Sequence, residues 1–199
     1  GDGTQVDRGA PVPVAAGGRY LGVAAGWYHS VGVRFDGTVW AWGNNLNGQI
    51  GDGSTIDRWS ASQVQGLGAV SAVAAGSAHT LALAADGSVW AWGYNFHGQL
   101  GDGTNTSRNR PVRVKDLSGV VGIAAGPFHS LAVKSDGTVW AWGYNFHGQL
   151  GDDTTFAQSA PVQVAGIDNA TAVAAGREHS LALRTDGSVW AWGYNRHGQ

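Results

Sequence analysis

Histidine followed by serine or threonine is the pair of residue types in this sequence that most directly suggests catalysis. A histidine can act as the base that activates a hydroxyl nucleophile. The pairs begin at His29, His79, His129 and His179. Neighbouring residues on a strand point to opposite faces of its sheet, so each histidine is badly placed to activate the next residue. Because the pair recurs four times whereas catalysis usually needs one unique constellation, we interpret these histidines as structural and expect no enzyme activity.

A second set of histidines is considered as metal ligands, because histidine commonly binds metal ions. His97, His147 and His197 recur at the same place in the repeated segment YNxHGQ, where the first copy has Asn47 instead. Metal ligands must converge to about 2 Å from a single ion. Residues of successive repeats are too widely separated for that, so we expect no metal at these histidines.

Aspartates near the GD dipeptides offer carboxylates of the kind that calcium prefers. Asp52 and Asp57 are one such pair, but Ser107 and Ala157 replace the second carboxylate in the later copies. No regular carboxylate cage results, and aspartate is common in tight turns. We therefore assign these residues to turns and expect no cofactor.

Charge and composition exclude several classes of function. The formal net charge is −2, from 12 Lys and Arg against 14 Asp and Glu, and no basic run is present that would bind a phosphate backbone. No stretch approaches the roughly 18 apolar residues of a membrane span. We expect neither a nucleic-acid nor a membrane partner. The chain contains no Met and no Cys and begins at Gly1, so we expect a processed form or a fragment.

One segment of about 50 residues, which contains the sequence VWAWG, accounts for the whole chain. This sequence begins at Val39, Val89, Val139 and Val189, which are spaced by 50 residues. The repeats are residues 1–50, 51–100, 101–150 and 151–199. We therefore treat residues 1–199 as a single domain or as part of one.

Each repeat is predicted to contain four short strands. His79 to Gly93 has two apolar runs separated by Asp-Gly, which is typical of a β-hairpin whose turn needs positive φ values. Ala69 to Gly76 is a further strand. Pro111 to Val114 is predicted to lie at a sheet edge, because proline cannot donate a hydrogen bond. No helical periodicity is visible, so the predicted class is all-β.

Alternation along VWAWG places both tryptophans on one sheet face and Val and Ala on the other. Both faces are apolar, and stacking of identical sheets buries them best if the tryptophan face of one sheet packs on the alanine face of the next. The predicted architecture is a β-propeller of four-stranded antiparallel blades. The tryptophans assigned to this structural role are Trp40, Trp42, Trp90, Trp92, Trp140, Trp142, Trp190 and Trp192.

Beyond these patterns, the segment VAAGWYHSVGV from Val23 to Val33 resembles the signature of the regulator of chromosome condensation repeat family. The segments from Val73, Ile123 and Val173 fit it as well, and with DGxVWAWGxNxxGQ the resemblance covers the whole chain. It implies a propeller, usually of seven four-stranded blades, often closed by a strand from the opposite terminus. It also implies that the four histidines are buried and hydrogen-bonded.

Positions that differ between nearly identical repeats are the ones that the scaffold does not dictate. Such positions lie in three loops and are rich in aromatic residues and Arg, which are typical of binding hot spots. The alternative is that these are ordinary surface aromatics. The predicted protein-binding residues are Trp27, Tyr28, Leu46, Trp59, Phe96, Arg108, Arg110, Phe128, Phe146, Arg177, Glu178 and Arg196.

The function that we predict is a non-catalytic scaffold that binds another protein through these loops. The resemblance also implies two alternatives, a guanine-nucleotide exchange factor for a small GTPase and a secreted inhibitor of an enzyme such as β-lactamase. No repeat carries an inserted wedge for nucleotide exchange, and a shared loop does not transfer a target. Two further alternatives for the partner are a second copy that completes an eight-bladed ring and further repeats of a longer chain. Localisation stays open, with a bacterial secreted or cell-surface protein preferred over a cytoplasmic one.

Overall fold

The computed structural model describes residues 1–15 and 17–199, in which all regular secondary structure is β-strand. Blade 1 contains β1 (Tyr20–Ala25), β2 (His29–Arg34), β3 (Val39–Gly43) and β4 (Arg58–Gln63). Blade 2 contains β5 (Val70–Ala75), β6 (His79–Ala84), β7 (Val89–Gly93) and β8 (Arg108–Arg113). Blade 3 contains β9 (Val120–Ala125), β10 (His129–Lys134), β11 (Val139–Gly143) and β12 (Gln158–Gln163). Blade 4 contains β13 (Ala170–Ala175), β14 (His179–Arg184) and β15 (Val189–Gly193).

Each blade is an antiparallel sheet whose strands pair in chain order, which confirms the predicted all-β propeller class. The first strands of successive blades, β1, β5, β9 and β13, contact one another and form the inner ring. The strand predicted from Pro111 to Val114 is β8, and it lies at the outer edge as predicted, although it spans Arg108–Arg113. None of the described residues forms a helix long and apolar enough to cross a membrane.

Blades and sequence repeats do not share boundaries. The first strand of the second repeat, β4, pairs with β3 of the first repeat, with Trp40 opposite Gln63 and Gly43 opposite Arg58. The same exchange joins β8 to β7 and β12 to β11. The second, third and fourth repeats therefore each supply the outer strand of the preceding blade and three strands of their own. Among the described residues, blade 4 has three strands.

The Asp-Gly turns use their two residues differently. Gly87 has φ of 78°, a left-handed conformation that favours glycine, and its N–H donates to the carbonyl of Ala84 over 3.0 Å. Within this dipeptide the positive φ is that of Gly87, and Asp86 does not have one. Its carboxylate instead accepts hydrogen bonds from the N–H and hydroxyl of Ser88, at 2.9 and 2.7 Å, and so fixes the turn.

The blades pack with two different faces in contact. We call the sheet face that carries both tryptophans of VWAWG the Trp face, and the opposite face the aliphatic face. Trp142, on the Trp face of blade 3, is fully buried against Leu81, Val89 and Ala91 on the aliphatic face of blade 2. Trp92 packs in the same way against blade 1, and Trp192 against blade 3. The predicted contact of tryptophan on alanine therefore forms all three interfaces.

The blade interfaces also share one set of hydrogen bonds. His79 Nε2 lies 3.0 Å from the hydroxyl of Ser130 in the next blade. That hydroxyl donates to the carbonyl of Gln99 over 2.9 Å, and the indole N–H of Trp142 donates to the same oxygen over 2.9 Å. Because the serine proton is already used, His79 must donate through Nε2 and is the Nε2–H tautomer. Equivalent groups repeat this arrangement at the other two interfaces.

Candidate protein-binding site

All the loops that vary between repeats emerge on one side of the propeller. In blade 2 the turn between β5 and β6 and the long loop between β7 and β8 lie at the same end of the antiparallel strands. The Asp-Gly turn between β6 and β7 lies at the other end. We call the side with the long loops the loop face. It carries Trp27, Phe96 and Phe128 together.

The long loops are held rigidly from inside. In blade 2 the buried side chain of Asn95 accepts the N–H of Leu100 at 2.9 Å and donates to the carbonyls of Thr104 and Thr106 at 2.9 and 3.1 Å. Phe96 follows directly after Asn95 in the chain and is 67% exposed. Asn45 and Asn145 make equivalent bonds. A fixed loop loses little conformational entropy when a partner binds. The exposed ring of Phe96 can therefore contact a partner with a small entropic penalty.

Asp2, Asp52 and Asp102 each close their loop with an ion pair to an arginine, whereas Asp152 accepts a hydrogen bond from the amide of Gln158. Asp102 accepts hydrogen bonds from Thr104 and pairs with Arg108 at 2.9 Å. Burial alone raises the pKa of Asp102, but these hydrogen bonds outweigh it and lower the pKa below its ordinary value. Arg108 thus pairs within its own loop, but its side chain stays 37% exposed, and its role as a binding residue remains a prediction. Asp57, considered for calcium, accepts the N–H of Asn45 at 2.8 Å instead.

A continuous group of rings covers the loop face between blades 2 and 4. His97 of blade 2 lies 4.9 Å from the ring of Tyr144 in blade 3, and His147 of blade 3 lies 4.8 Å from Tyr194 in blade 4. Burial lowers the pKa of His97, which favours its neutral ring. We call the whole group the aromatic cluster: Trp27, Tyr94, Phe96, His97, Phe128, Tyr144, Phe146, His147, Tyr194 and His197.

Trp27 of blade 1 joins this cluster by contacting blade 3 directly. Its ring lies 5.8 Å from Phe128 in an edge-to-face arrangement. Blade 2 has only Ser77 and Ala78 at the corresponding positions, so the large rings can meet above it. Phe128 in turn lies 5.6 Å from His97. Small residues in one repeat therefore allow large residues of its two neighbours to form one surface.

The other predicted binding residues lie around the cluster or apart from it. Leu46 and Arg110 line a separate groove at the outer side of blades 1 and 2. Trp59, 53% exposed, lies on the outer strand of blade 1. The carboxylate of Glu178 lies 3.6 Å from Nε2 of His147, so Glu178 borders the aromatic cluster. The remaining three lie in blades 1 and 4: Tyr28 and Arg177 occupy the turns between first and second strands, and Arg196 lies at the tip of its long loop.

Sequence comparison between repeats missed six of the ten residues of this cluster. Tyr94, Tyr144 and Tyr194 are the same in three repeats, and a search for variable positions excludes them. The histidines of YNxHGQ were considered only as metal ligands. In residues 1–15 and 17–199 no group of three or more His, Asp or Glu side chains is arranged to hold a metal ion. These residues could have been found from the sequence, because a Tyr and a His three positions apart recur in three repeats.

The histidine and hydroxyl side chains that pair across the three blade interfaces are inaccessible to substrate. His79 and Ser130 are both completely buried, and burial lowers the pKa of His79 to about 3. The serine proton is directed at a main-chain carbonyl rather than at the histidine. These groups therefore hold neighbouring blades together, and their geometry does not correspond to that of a nucleophile and its base.

Stacked antiparallel blades, with many aromatic side chains on the loop face, define the chain as a β-propeller whose loops are suited to protein contacts. The family model of the RCC1-like domain matches residues 1–199, so the chain belongs to that family. A search of curated proteins finds no match to the chain.

Known structures support the same fold. Human WBSCR16 superposes with a TM-score of 0.82 and 26% sequence identity over 91% of this chain and 49% of that protein. Yeast RCC1 (Prp20), in its complex with Kap60, gives 0.79 and 27% over 92% of this chain and 46% of Prp20. A second Saccharomyces cerevisiae Prp20p structure, studied with its binding to Gsp1p and histones, gives the same score and identity. The chain spans about half the length of these relatives.

Proposed function

We propose that the chain binds another protein through the aromatic cluster of its loop face and catalyses no reaction. The observation that carries this proposal is the continuity of the cluster, in which Trp27, Phe128 and His97 link rings from three blades. Phe96 and Phe146 are 67% and 68% exposed although they belong to rigid loops. Large aromatic side chains at fixed positions contribute most of the binding energy in many protein interfaces.

The charges around the cluster agree with a protein partner. Arg177 and Glu178 have opposite charge and flank the rings, and no basic run accompanies them. An apolar centre with a mixed polar rim is the usual anatomy of a protein interface. The structures of yeast Prp20 concern binding to Kap60, Gsp1p and histones, all of which are proteins. A nucleotide exchange factor and an enzyme inhibitor, the two alternatives that the family resemblance implies, would also bind a protein partner.

The test compares an aromatic residue of the cluster with a matched one on the opposite side. Phe146→Ser removes a ring that is 68% exposed on the loop face, and Phe35→Ser removes one that is 64% exposed beside an Asp-Gly turn. Each variant and the unmodified protein are immobilised, and proteins captured from the source cells are identified and titrated. We expect Phe146→Ser to weaken binding by about 30-fold, and Phe35→Ser to leave it unchanged.

Circular dichroism and urea unfolding of both variants provide the control for folding. Because both rings are largely exposed, we expect similar unfolding midpoints. Equal binding of the same partner by all three proteins would disprove the proposal, as would a loss in Phe35→Ser alone.

A further inference from the structure

We propose that the groove between blades 1 and 2 binds an acidic segment of a protein partner, whose carboxylates pair with Arg110 and Arg108. The groove lies at the outer side of the two blades, apart from the aromatic cluster, and the proposal does not rest on that cluster. It rests on the position of Arg110, on the charge of the groove, and on a comparison with the next blade junction.

The two walls of the groove come from neighbouring blades. The long loop of blade 1 supplies Leu46, Asn47 and Thr55, and the opposite wall, at the start of β8 in blade 2, includes Arg108 and Arg110. The volume of the groove is about 520 Å³, which is within the range of ligand pockets in proteins. A segment that enters the groove would therefore contact both blades.

The guanidinium of Arg110 lies against the turn that follows Asp52 in blade 1. Gly53 has φ of 87°, and a Cβ atom at that residue would lie 2.5 Å from Nη2 of Arg110. Glycine therefore gives the guanidinium room to pack on the main chain of the turn. Within residues 1–15 and 17–199, Arg110 makes no hydrogen bond or ion pair. Its N–H donors are therefore available to an anion.

Arg108 adds a second guanidinium, which is only partly used inside its own loop. Its Nε and Nη2 pair with the carboxylate of Asp102 at 3.0 and 2.9 Å, whereas Nη1 makes no hydrogen bond with the described residues. None of the residues that line the groove is acidic. Because Asp102 offsets the charge of Arg108, the charge of Arg110 stays uncompensated. Guanidinium groups bind carboxylates through paired, charge-assisted hydrogen bonds, so a carboxylate fits this site.

The next blade junction has the same main-chain contact without the charge. Between blades 2 and 3, the repeat positions of the two arginines hold Gln158 and Ala160. At both junctions the N–H of the turn glycine donates to the outer strand of the next blade, over 2.8 Å from Gly53 and 2.9 Å from Gly103. The propeller therefore does not need arginine to join its blades, and packing does not explain the two arginines of this groove.

An acidic protein segment fits the groove better than a nucleic-acid strand does. Leu46 is 73% exposed, and Val112 lines the same groove, so apolar surface accompanies the arginines. A protein segment can supply carboxylate and aliphatic side chains together. Affinity for a phosphate backbone depends on several cationic contacts, whereas this groove has one uncompensated positive charge in a chain of net charge −2.

Fluorescence anisotropy of labelled hexaglutamate, titrated with the 199-residue chain at constant ionic strength, tests the proposal. We expect saturable binding that weakens about 10-fold in Arg110→Ala, because the hydrogen bonds to the guanidinium are lost. Arg19→Ala is the matched control. It removes the same charge from an exposed side chain that precedes β1, on the side opposite the loop face, and contacts the ring of Phe35. This variant should bind hexaglutamate as the unmodified chain does.

Absence of hexaglutamate binding, or equal affinities of the unmodified chain and Arg110→Ala, would overturn the proposal. So would an equal loss in Arg19→Ala, because the effect would then reflect net charge and not the groove. Labelled hexathymidylate is the second probe and should bind more weakly than hexaglutamate. Tighter binding of hexathymidylate, with a loss in Arg110→Ala, would assign the groove to phosphate groups instead.

Folding of both variants is checked by circular dichroism and urea unfolding, and we expect unchanged midpoints because both side chains are exposed. Hexaglutamate has no aromatic or aliphatic anchor for the aromatic cluster. Its binding and the capture of a partner by the cluster are therefore separate results, and either proposal can fail without the other.

Discussion

Replacement of Trp142 by alanine should be among the most destabilising single changes in the chain. Its side chain is 0% exposed between blades 2 and 3. Truncation of a buried aromatic residue to alanine costs about 3–5 kcal/mol because contacts are lost and a cavity remains. The indole hydrogen bond to Gln99 is also lost, but that carbonyl keeps the hydroxyl of Ser130 as a donor. The penalty for an unpaired buried group is therefore avoided, and the expected loss stays at about 3–5 kcal/mol.

Trp27→Ala is the matched comparison on the loop face. Trp27 is 57% exposed, and its principal ring contact is the edge-to-face pair with Phe128. Such a pair contributes about 0.5–1.5 kcal/mol, so the two variants should differ by at least about 1.5 kcal/mol. Urea unfolding followed by far-ultraviolet circular dichroism measures the free energy of unfolding of each. If Trp142→Ala fails to fold, Trp142→Phe should show a smaller loss of the same kind. Equal losses at Trp142 and Trp27 would refute the packing argument.

Two further predictions concern buried polar groups. Burial lowers the pKa of His79 to about 3 from an ordinary value of 6.5, so the unfolded chain takes up this proton first. Stability is then present above pH 6.5 and is lost as the pH falls towards 3, by roughly 3 kcal/mol over the first two to three pH units. A urea midpoint that stays constant between pH 7 and 4 would contradict this. Asn95→Ala leaves the N–H of Leu100 without its acceptor and should destabilise the loop by roughly 1–3 kcal/mol. Amide hydrogen exchange should accelerate across residues 95–107, whereas Thr106→Ala, at an exposed position that keeps its main-chain carbonyl for Asn95, should change it little.

The arrangement of the loop face has a consequence for how binding specificity can change. The scaffold contacts of Asn95 and Asp102 lie inside the loop, and Phe96 projects from it. Substitution at Phe96 therefore leaves the hydrogen bonds that shape the loop in place. Repeats with the same internal bonds carry Leu46 and Phe146 at this position. The propeller can thus vary its contact residues without altering its blades.

Local sequence determined the strands, their turns and the faces that pack. The spacing of VWAWG fixed the repeat, Asp-Gly fixed the hairpins, and alternation placed Trp90 and Trp92 on one face. These features depend on residues close in the chain and on the two-residue period of a strand. That is why the propeller class could be predicted before the structure was known.

Only the tertiary structure decided which residues meet between blades. It assigned β4 to the sheet of the preceding repeat, because edge pairing depends on spatial proximity and not on repeat phase. It committed Arg108 to an ion pair within its own loop. It also brought Trp27 to Phe128, 101 positions further along the chain, because the small residues of blade 2 leave room between them. Contacts of this kind depend on the shape of the intervening blade, which no local pattern in either segment records.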